Sequence, residues 1–246
     1  MLEGYAPGFS DDALSMMSAR TASERAQFAI RLLRPGACVL DVGCGPGTIT
    51  RGFLPYVGEG RVLGVDRARR QFPAESTVDL VAGSAYGLPV AGDRVDVVFA
   101  HGLFEHLSRP ADALREMRRV LRPGGALALS TSDWSHARIR PRTANVTAAL
   151  RGHYLLRRRA GGDPFAGGRL ADLVAAAGFR EVTARPRYRP DMSYRDLARY
   201  VESRLDAALR TAPDVQLASA ARSAWAWSHG RDGDFTQCWV ELVAVK

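Results

Sequence analysis

Lysine is almost missing from this sequence. Its 34 basic residues comprise 33 arginines and the single lysine Lys246, and against 26 acidic residues they give a net charge of +8 at pH 7. Nucleic-acid surfaces usually mix lysine with arginine and interleave aromatic side chains that stack on bases. Because both features are absent here, we favour an arginine-rich coding bias over a nucleic-acid interface. We expect the densest basic run, residues 157–159, on a solvated loop.

Long apolar runs and clustered cysteines are also absent. No apolar run reaches the roughly 18 residues that a membrane-spanning helix needs, so no membrane partner is predicted. Residues 1–15 are acidic and have no apolar core, which predicts no signal peptide. Cys38, Cys44 and Cys238 are too scattered for a disulfide framework or a zinc site, so we expect no metal and a reduced, cytoplasmic setting.

The chain instead alternates short apolar segments with segments of helical period. Strands are predicted at residues 37–42, 61–66, 78–82, 95–100, 126–132, 179–187 and 236–245. Helices are predicted at residues 10–33, 48–57, 110–121, 169–178, 193–211 and 214–227. This alternation predicts a single α/β domain over residues 1–246, with a mostly parallel sheet and helices on both faces. Residues 134–168, which have no clear period, and residues 190–230 are interpreted as insertions.

The strongest motif is VLDVGCGPG at residues 39–47, a buried strand followed by a glycine-rich turn. Gly43 allows the tight turn, Gly45 lets a ligand approach the backbone, and Gly47 lies where the next helix begins. A purely structural turn would use glycine as well. Asp41 ends the strand and suits a ligand that carries an ammonium group, whereas it would repel the pyrophosphate of NAD. The spacing also fails to complete the G-x-G-x-x-G motif of dinucleotide-binding proteins.

Asp66 ends the second predicted strand, about 20 residues after the loop. A carboxylate in that place can accept hydrogen bonds from both hydroxyls of a ribose. The alternative is that Asp66 only caps a helix. Together, the loop and Asp66 predict a nucleoside-binding site.

Further blocks carry a family resemblance: GVD (64–66), AGSAYGLPV (82–90), DRVDVVFAHGLFEHL (93–107) and LREMRRVLRPGGALALS (114–130). With the glycine loop, they resemble the class I S-adenosylmethionine-dependent methyltransferases over roughly residues 35–132, and the last two resemble the ubiquinone/menaquinone-type subgroup. The resemblance implies a Rossmann-like sheet of seven strands with the last strand antiparallel. It also implies S-adenosyl-L-methionine as cofactor, residues 35–133 as the cofactor-binding core, residues 1–34 as a helical lid, and the two insertions as a cap over the substrate.

The resemblance also assigns cofactor contacts. It places the methionine end at Asp41, Gly43 and Gly45, the ribose at Asp66, the adenine between Ser84 and Ala85, and the sulfonium beside Ala100 and His101. Many relatives carry Asp where this chain has Ser84, which weakens one expected hydrogen bond to the adenine. The predicted cofactor set is completed by Cys44, Gly47, Arg67 and, as a partner for the cofactor carboxylate or simply a solvated charge, Arg20. Tyr86 either offers a ring face to the adenine or packs beneath the loop.

For the chemistry, His101 is the preferred general base because it lies at the end of a strand on the ligand edge of the sheet. The alternative is that it only shapes the pocket. His106 is a second catalytic candidate, although relatives often have histidine there, which suggests a shared structural role. The predicted substrate contacts are Trp134, His229 and Tyr5.

These residues predict methyl transfer to an oxygen or nitrogen of a small molecule, by an enzyme that is a monomer or homodimer. The arginine-rich composition is associated with high-GC bacteria and natural-product tailoring. The alternatives are a nucleic-acid methyltransferase, a dehydrogenase of related fold, and a protein that binds the cofactor without transferring methyl groups.

Overall fold

A computed structural model describes residues 11–246, which contain a seven-stranded sheet in the order β3-β2-β1-β4-β5-β7-β6. The strands are Cys38–Val42 (β1), Arg61–Asp66 (β2), Asp79–Ala82 (β3), Val95–His101 (β4), Leu121–Arg140 (β5), Arg180–Arg189 (β6) and Asp234–Val245 (β7). β1 to β5 pair in parallel, and β7 pairs antiparallel with both β5 and β6. The predicted α/β fold, with its mostly parallel sheet and antiparallel last strand, is confirmed.

Helices cover both faces of the sheet. They are Asp11–Ser18 (α1), Ala22–Arg25 (α2), Gln27–Ile30 (α3), Thr48–Arg51 (α4), Leu54–Val57 (α5), Pro110–Val120 (α6), Ala144–Arg159 (α7), Leu170–Ala176 (α8), Tyr194–Thr211 (α9) and Val215–Ser228 (α10). Successive strand residues point to opposite faces. Val98 therefore packs with α6 and α8, while Phe99 packs with the helices around α4 and meets Phe53 at a ring distance of 5.1 Å.

A third apolar cluster lies outside these two layers. It is formed by α7, α9 and α10 together with the outer ends of β5 and β7. No regular element was predicted for residues 134–168, but the structure shows that they contain the end of β5 and the whole of α7. The apolar residues of α7 contact two helices, so they form no single stripe that a search for one helical face would detect.

The arginine run at residues 157–159 is not on a solvated loop, so that prediction was wrong. It forms the last turn of α7, and Arg157 is only 8% exposed. Packing of α7 against α9 carries this side chain into the interior.

Two predicted helices are broken in the structure. One helix was predicted over residues 10–33, but residues 11–33 form three short helices, and Thr21 caps the second of them by accepting a hydrogen bond from the Glu24 amide. Residues 48–57 form α4 and α5, and the second of these has proline in its first turn, where the missing N–H costs nothing. Among residues 11–246, no helix is long and apolar enough to cross a bilayer.

Candidate functional site

A cavity of about 660 Å³ opens at the carboxyl ends of β1, β2 and β4. Its volume is in the range of small-molecule sites, and this edge of an open α/β sheet is where ligands usually bind. The structure brings eleven of the predicted site residues to its wall: Arg20, Asp41, Gly43, Cys44, Gly45, Asp66, Arg67, Ser84, Ala85, His101 and His106. Residues predicted from separate stretches of the sequence therefore line one cavity.

The glycine loop forms one side of the cavity. Gly43 and Gly45 have φ angles of +76° and +55°, which residues other than glycine rarely adopt. A Cβ atom at Gly43 would lie 3.0 Å from Leu103 Cδ1, and one at Gly45 would lie 3.3 Å from Gln71 Oε1. Any larger residue would thus be strained and would fill the narrow space between the loop and these side chains.

Asp66 is fixed by backbone donors. Its Oδ2 accepts the Gly45 amide at 3.0 Å and its Oδ1 accepts the Ala68 amide at 2.8 Å. Each carboxylate oxygen accepts more than one hydrogen bond, so both can still receive a donor from a ligand in the cavity. The same bonds tie the glycine loop to the end of β2.

Asp41 is a buried carboxyl group, 2% exposed, whose Oδ2 accepts the Thr50 hydroxyl at 2.6 Å. The pKa of Asp41 is raised to about 7, mainly by burial; the Thr50 hydrogen bond opposes this rise, and the nearby charge of Asp66 adds to it. Burial also raises the pKa of the neighbouring Cys44 thiol, so that thiol stays protonated. A cationic group in the cavity would favour the ionised form of Asp41.

His101 ends β4 and is 7% exposed. Its ring stacks on Trp239 with 4.6 Å between centroids, and within residues 11–246 neither ring nitrogen has a hydrogen-bond partner. Burial, followed by the charges of Arg20 and Arg25, lowers the pKa of His101 well below its usual value. The ring is therefore neutral at pH 7, with one donor and one acceptor nitrogen left to a bound molecule.

The support of His101 was not predicted from the sequence. Asp191 accepts the Trp239 indole N–H at 2.6 Å and forms an ion pair of 2.6 Å with Arg25, while the Arg20 guanidinium lies 5.9 Å from the centre of the indole. Nothing in the sequence marks Asp191 or Trp239, because their roles depend on β7 lying beside β5 and on the N-terminal helices reaching across the sheet edge.

Gln71 was also missed. It lies in the short 3-10 helix Arg69–Gln71 after Asp66, and its buried Oε1 has no hydrogen-bond donor within the described part of the chain. It lines the cavity opposite the glycine loop. The only signal available was its position in the connection that follows β2.

His106 and Ser84 lie on the cavity wall with Tyr86. Burial lowers the pKa of His106 to about 4, although the Glu105 carboxylate opposes this. The Ser84 hydroxyl accepts the Tyr86 amide at 3.1 Å, and the Arg109 guanidinium lies 4.4 Å from the centre of the Tyr86 ring. A second hydrogen bond from the Ser84 hydroxyl to a ligand remains open.

Four predicted residues do not line the cavity. Ala100 points to the opposite face of β4 from His101, and a Cβ atom at Gly47 would face Leu80 rather than the ligand space. Trp134 is 7% exposed within the cluster of α7, α9 and α10, and His229 stacks on Trp225 at the end of α10. The structure therefore does not bring these four residues to the cavity with the other predicted site residues. Tyr5 lies outside the described residues.

Comparison with known proteins gives consistent matches. Residues 40–129 match a family model described as a methyltransferase domain. A probable methyltransferase of Aspergillus luteorubrus is 36% identical over 168 residues, which cover 61% of this chain and 58% of the relative. A demethylmenaquinone methyltransferase of Renibacterium salmoninarum is 30% identical over 189 residues, which cover 72% of this chain and 75% of the relative.

A solved structure shares the fold over nearly the whole chain. Phosphoethanolamine N-methyltransferase 2 of Haemonchus contortus, in complex with S-adenosyl-L-methionine, matches with a TM-score of 0.61 and 14% identity over 96% of this chain and 57% of that chain. At that identity the likeness shows the fold alone. The chain spans 58%, 55% and 46% of the length of three curated relatives it matches, which is about half of each.

Proposed function

Because the chain belongs to the class I S-adenosylmethionine-dependent methyltransferases, we propose that it transfers a methyl group from S-adenosylmethionine to an oxygen or nitrogen of a small molecule. The observation that carries this proposal is the juxtaposition of Asp41, Asp66 and His101 around one cavity, where the His101 ring nitrogens have no hydrogen-bond partner among residues 11–246. Two carboxylates and a neutral imidazole suit a ligand with an ammonium group and ribose hydroxyls.

The residues present fit the cofactor. Among the described residues, Asp41 has no cationic partner and the Gln71 Oε1 has no donor, while both oxygens of Asp66 can still accept a hydrogen bond. We assign the methionine ammonium to Asp41, the ribose to Asp66, the adenine to Ser84 and Ala85, and the methionine carboxylate to Arg20. When bound, S-adenosylmethionine supplies a methyl group on a positively charged sulfur.

The chain's own residues position the acceptor and receive its proton. His101 is neutral, so its unprotonated ring nitrogen can accept a hydrogen bond from the methyl acceptor. Its lowered pKa makes it a weak base. An attacking hydroxyl or amine becomes strongly acidic as its new bond forms, so a weak base suffices, whereas a C–H acceptor would need a stronger one. The weak basicity of His101 therefore favours an oxygen or nitrogen acceptor over carbon.

The setting of the reaction is part of the same proposal. The helices α7, α9 and α10 would form the substrate cap, and the N-terminal helices, which bring Met17 and Arg20 to the cavity, would form the lid. We propose a cytoplasmic monomer or homodimer acting in natural-product metabolism; the scattered cysteines support this location and the arginine-rich composition supports this metabolism. A nucleic-acid acceptor is disfavoured because the densest arginine run is partly buried.

The proposal is tested by cofactor binding followed by product analysis. We expect S-adenosylhomocysteine to bind in calorimetry and to raise the melting temperature, and NAD to do neither. Labelled S-adenosylmethionine should then give a labelled product with small metabolites and no labelled RNA. Absence of binding by folded protein would refute the proposal, and binding without any labelled product would favour the cofactor-binding alternative.

The role of His101 as a base has its own expected result. His101→Gln keeps a polar side chain but removes the base, and we expect it to lower the methyl-transfer rate by roughly 10²-fold or more. S-adenosylhomocysteine affinity, measured by calorimetry, should change far less, because the charged contacts to the cofactor remain. A rate within about tenfold of the original protein would show that His101 only shapes the pocket.

A further inference from the structure

Three buried hydrogen-bond donors meet in the cluster behind the cavity. The Trp134 and His153 rings pack edge to face at 5.3 Å, and the Arg157 guanidinium lies 5.6 Å from the centre of the Trp134 ring. Within residues 11–246, Trp134 Nε1, His153 Nδ1 and Arg157 Nη1 are buried and have no hydrogen-bond partner. Leaving one such group unpaired is costly, and three in contact indicate a missing acceptor.

The hydrogen bonding of His153 shows that its free nitrogen is a donor. Arg157 Nε donates to His153 Nε2 at 3.1 Å, so Nε2 is the unprotonated nitrogen. Burial, followed by the charge of Arg157, lowers the pKa of His153 well below its usual value, so the ring is neutral. Its proton is therefore on Nδ1, and all three unpartnered groups are N–H donors.

Among residues 11–246, Arg157 lacks a directly paired carboxylate, although buried carboxylates lie nearby. In the described part of the chain, no ion pair joins Arg157 to a carboxylate, although Glu105 is near enough for Arg157 to affect its pKa. The Glu105 carboxylate is already bonded to the Thr131 and Ser132 hydroxyls. Arg204 adds a second positive charge near His153. Internal water would satisfy the donors but would leave the buried Arg157 guanidinium without a directly paired carboxylate.

This cluster lies one layer behind the wall of the cavity. The short 3-10 helix Phe104–His106 carries His106 on that wall, and the Arg157 charge is near enough to lower the pKa of His106 further after burial. The loop that follows α7 packs on the same helix, where the Asp163 amide donates to the Glu105 carbonyl at 3.1 Å. A substrate that extends from the cavity past His106 would approach the three donors.

We propose that Trp134, His153 and Arg157 form a subsite that receives the carboxylate of the methyl-accepting substrate. This rests on the proposed methyltransferase function and narrows its substrate to an organic acid whose methylated hydroxyl or amine is a separate group. A carboxylate offers the negative charge that Arg157 lacks and enough lone pairs for all three N–H groups.

The subsite is tested first with formate, the smallest carboxylate, and formamide as its neutral counterpart. Calorimetry of the full chain, with and without S-adenosylhomocysteine and at constant ionic strength, should show formate binding that formamide does not match. Arg157→Gln should weaken formate binding by about tenfold or more, and Trp134→Phe, which removes only the N–H, by several-fold. Trp225→Phe is the matched control, since Trp225 is 57% exposed on α10.

A second experiment distinguishes a carboxylate that belongs to the substrate from a free carboxylate ion. Aromatic hydroxy acids and their amides are compared as methyl acceptors, and Arg157→Gln should raise KM for the acids selectively. Equal binding of formate and formamide, or formate binding that survives Arg157→Gln and Trp134→Phe, overturns the subsite. Formate binding without any preference for acid acceptors overturns its assignment to the substrate. If the original protein does not bind S-adenosylhomocysteine, the proposed function is refuted. The two failures can be told apart because formate binding is also measured without S-adenosylhomocysteine.

Discussion

Replacing Asp66 with asparagine should lower the affinity for S-adenosylhomocysteine by about 100-fold. Both carboxylate oxygens are held in place by the Gly45 and Ala68 amides, and we propose that both also accept a ribose hydroxyl. The variant exchanges one charged acceptor for an amide N–H₂, which would oppose a ligand or backbone donor. Two charge-assisted hydrogen bonds are therefore weakened at once.

The matched control for this variant is Asp79→Asn, which makes the same chemical change at an exposed residue at the start of the neighbouring strand β3. Calorimetry should give the control the affinity of the original protein. If Asp66→Asn binds within about threefold of the original, Asp66 only fixes the loop and the ribose lies elsewhere.

The affinity for S-adenosylhomocysteine should depend steeply on pH because of Asp41. In the free protein the pKa of this group is raised to about 7, mainly by burial. Pairing with the ligand ammonium requires the ionised form, so binding below that pH must release a proton. We expect affinity to fall about tenfold for each pH unit below 7 and to level off above it.

Calorimetry in buffers of different ionisation enthalpy counts the released proton directly, and Asp41→Asn should abolish both the release and the pH dependence. The unliganded protein should respond with the opposite sign. Because the folded-state pKa of Asp41 lies above its ordinary value of 3.8, the folded protein holds that proton more tightly than the unfolded chain. This contribution to stability is lost as pH rises toward 7. Affinity that is constant from about pH 5 to pH 7 would contradict the pairing of Asp41 with the ammonium.

Most of the predicted site residues line the cavity, and they could be predicted from the sequence because each part of this wall is local. The glycine loop needs left-handed backbone angles that few residues other than glycine tolerate. Asp41 lies next to the last residue of β1, and Asp66 is the last residue of β2. Parallel strands place their carboxyl ends at one edge, so residues from β1, β2 and β4 had to meet. The fold class could be predicted as well, because the alternation of strands and helices is also a local pattern.

The contacts around His101 and Trp134 depended on packing between distant segments. His101 was predicted at the ligand edge, but its stack on Trp239 and the link through Asp191 exist only because β7 inserts beside β5. Trp134 was expected in the cavity, yet the helices α7 and α9 enclose it. Local patterns record which residues favour a turn or a strand end, whereas burial of a charge such as Arg157 is set by helices far apart in the chain, and no short-range pattern encodes it.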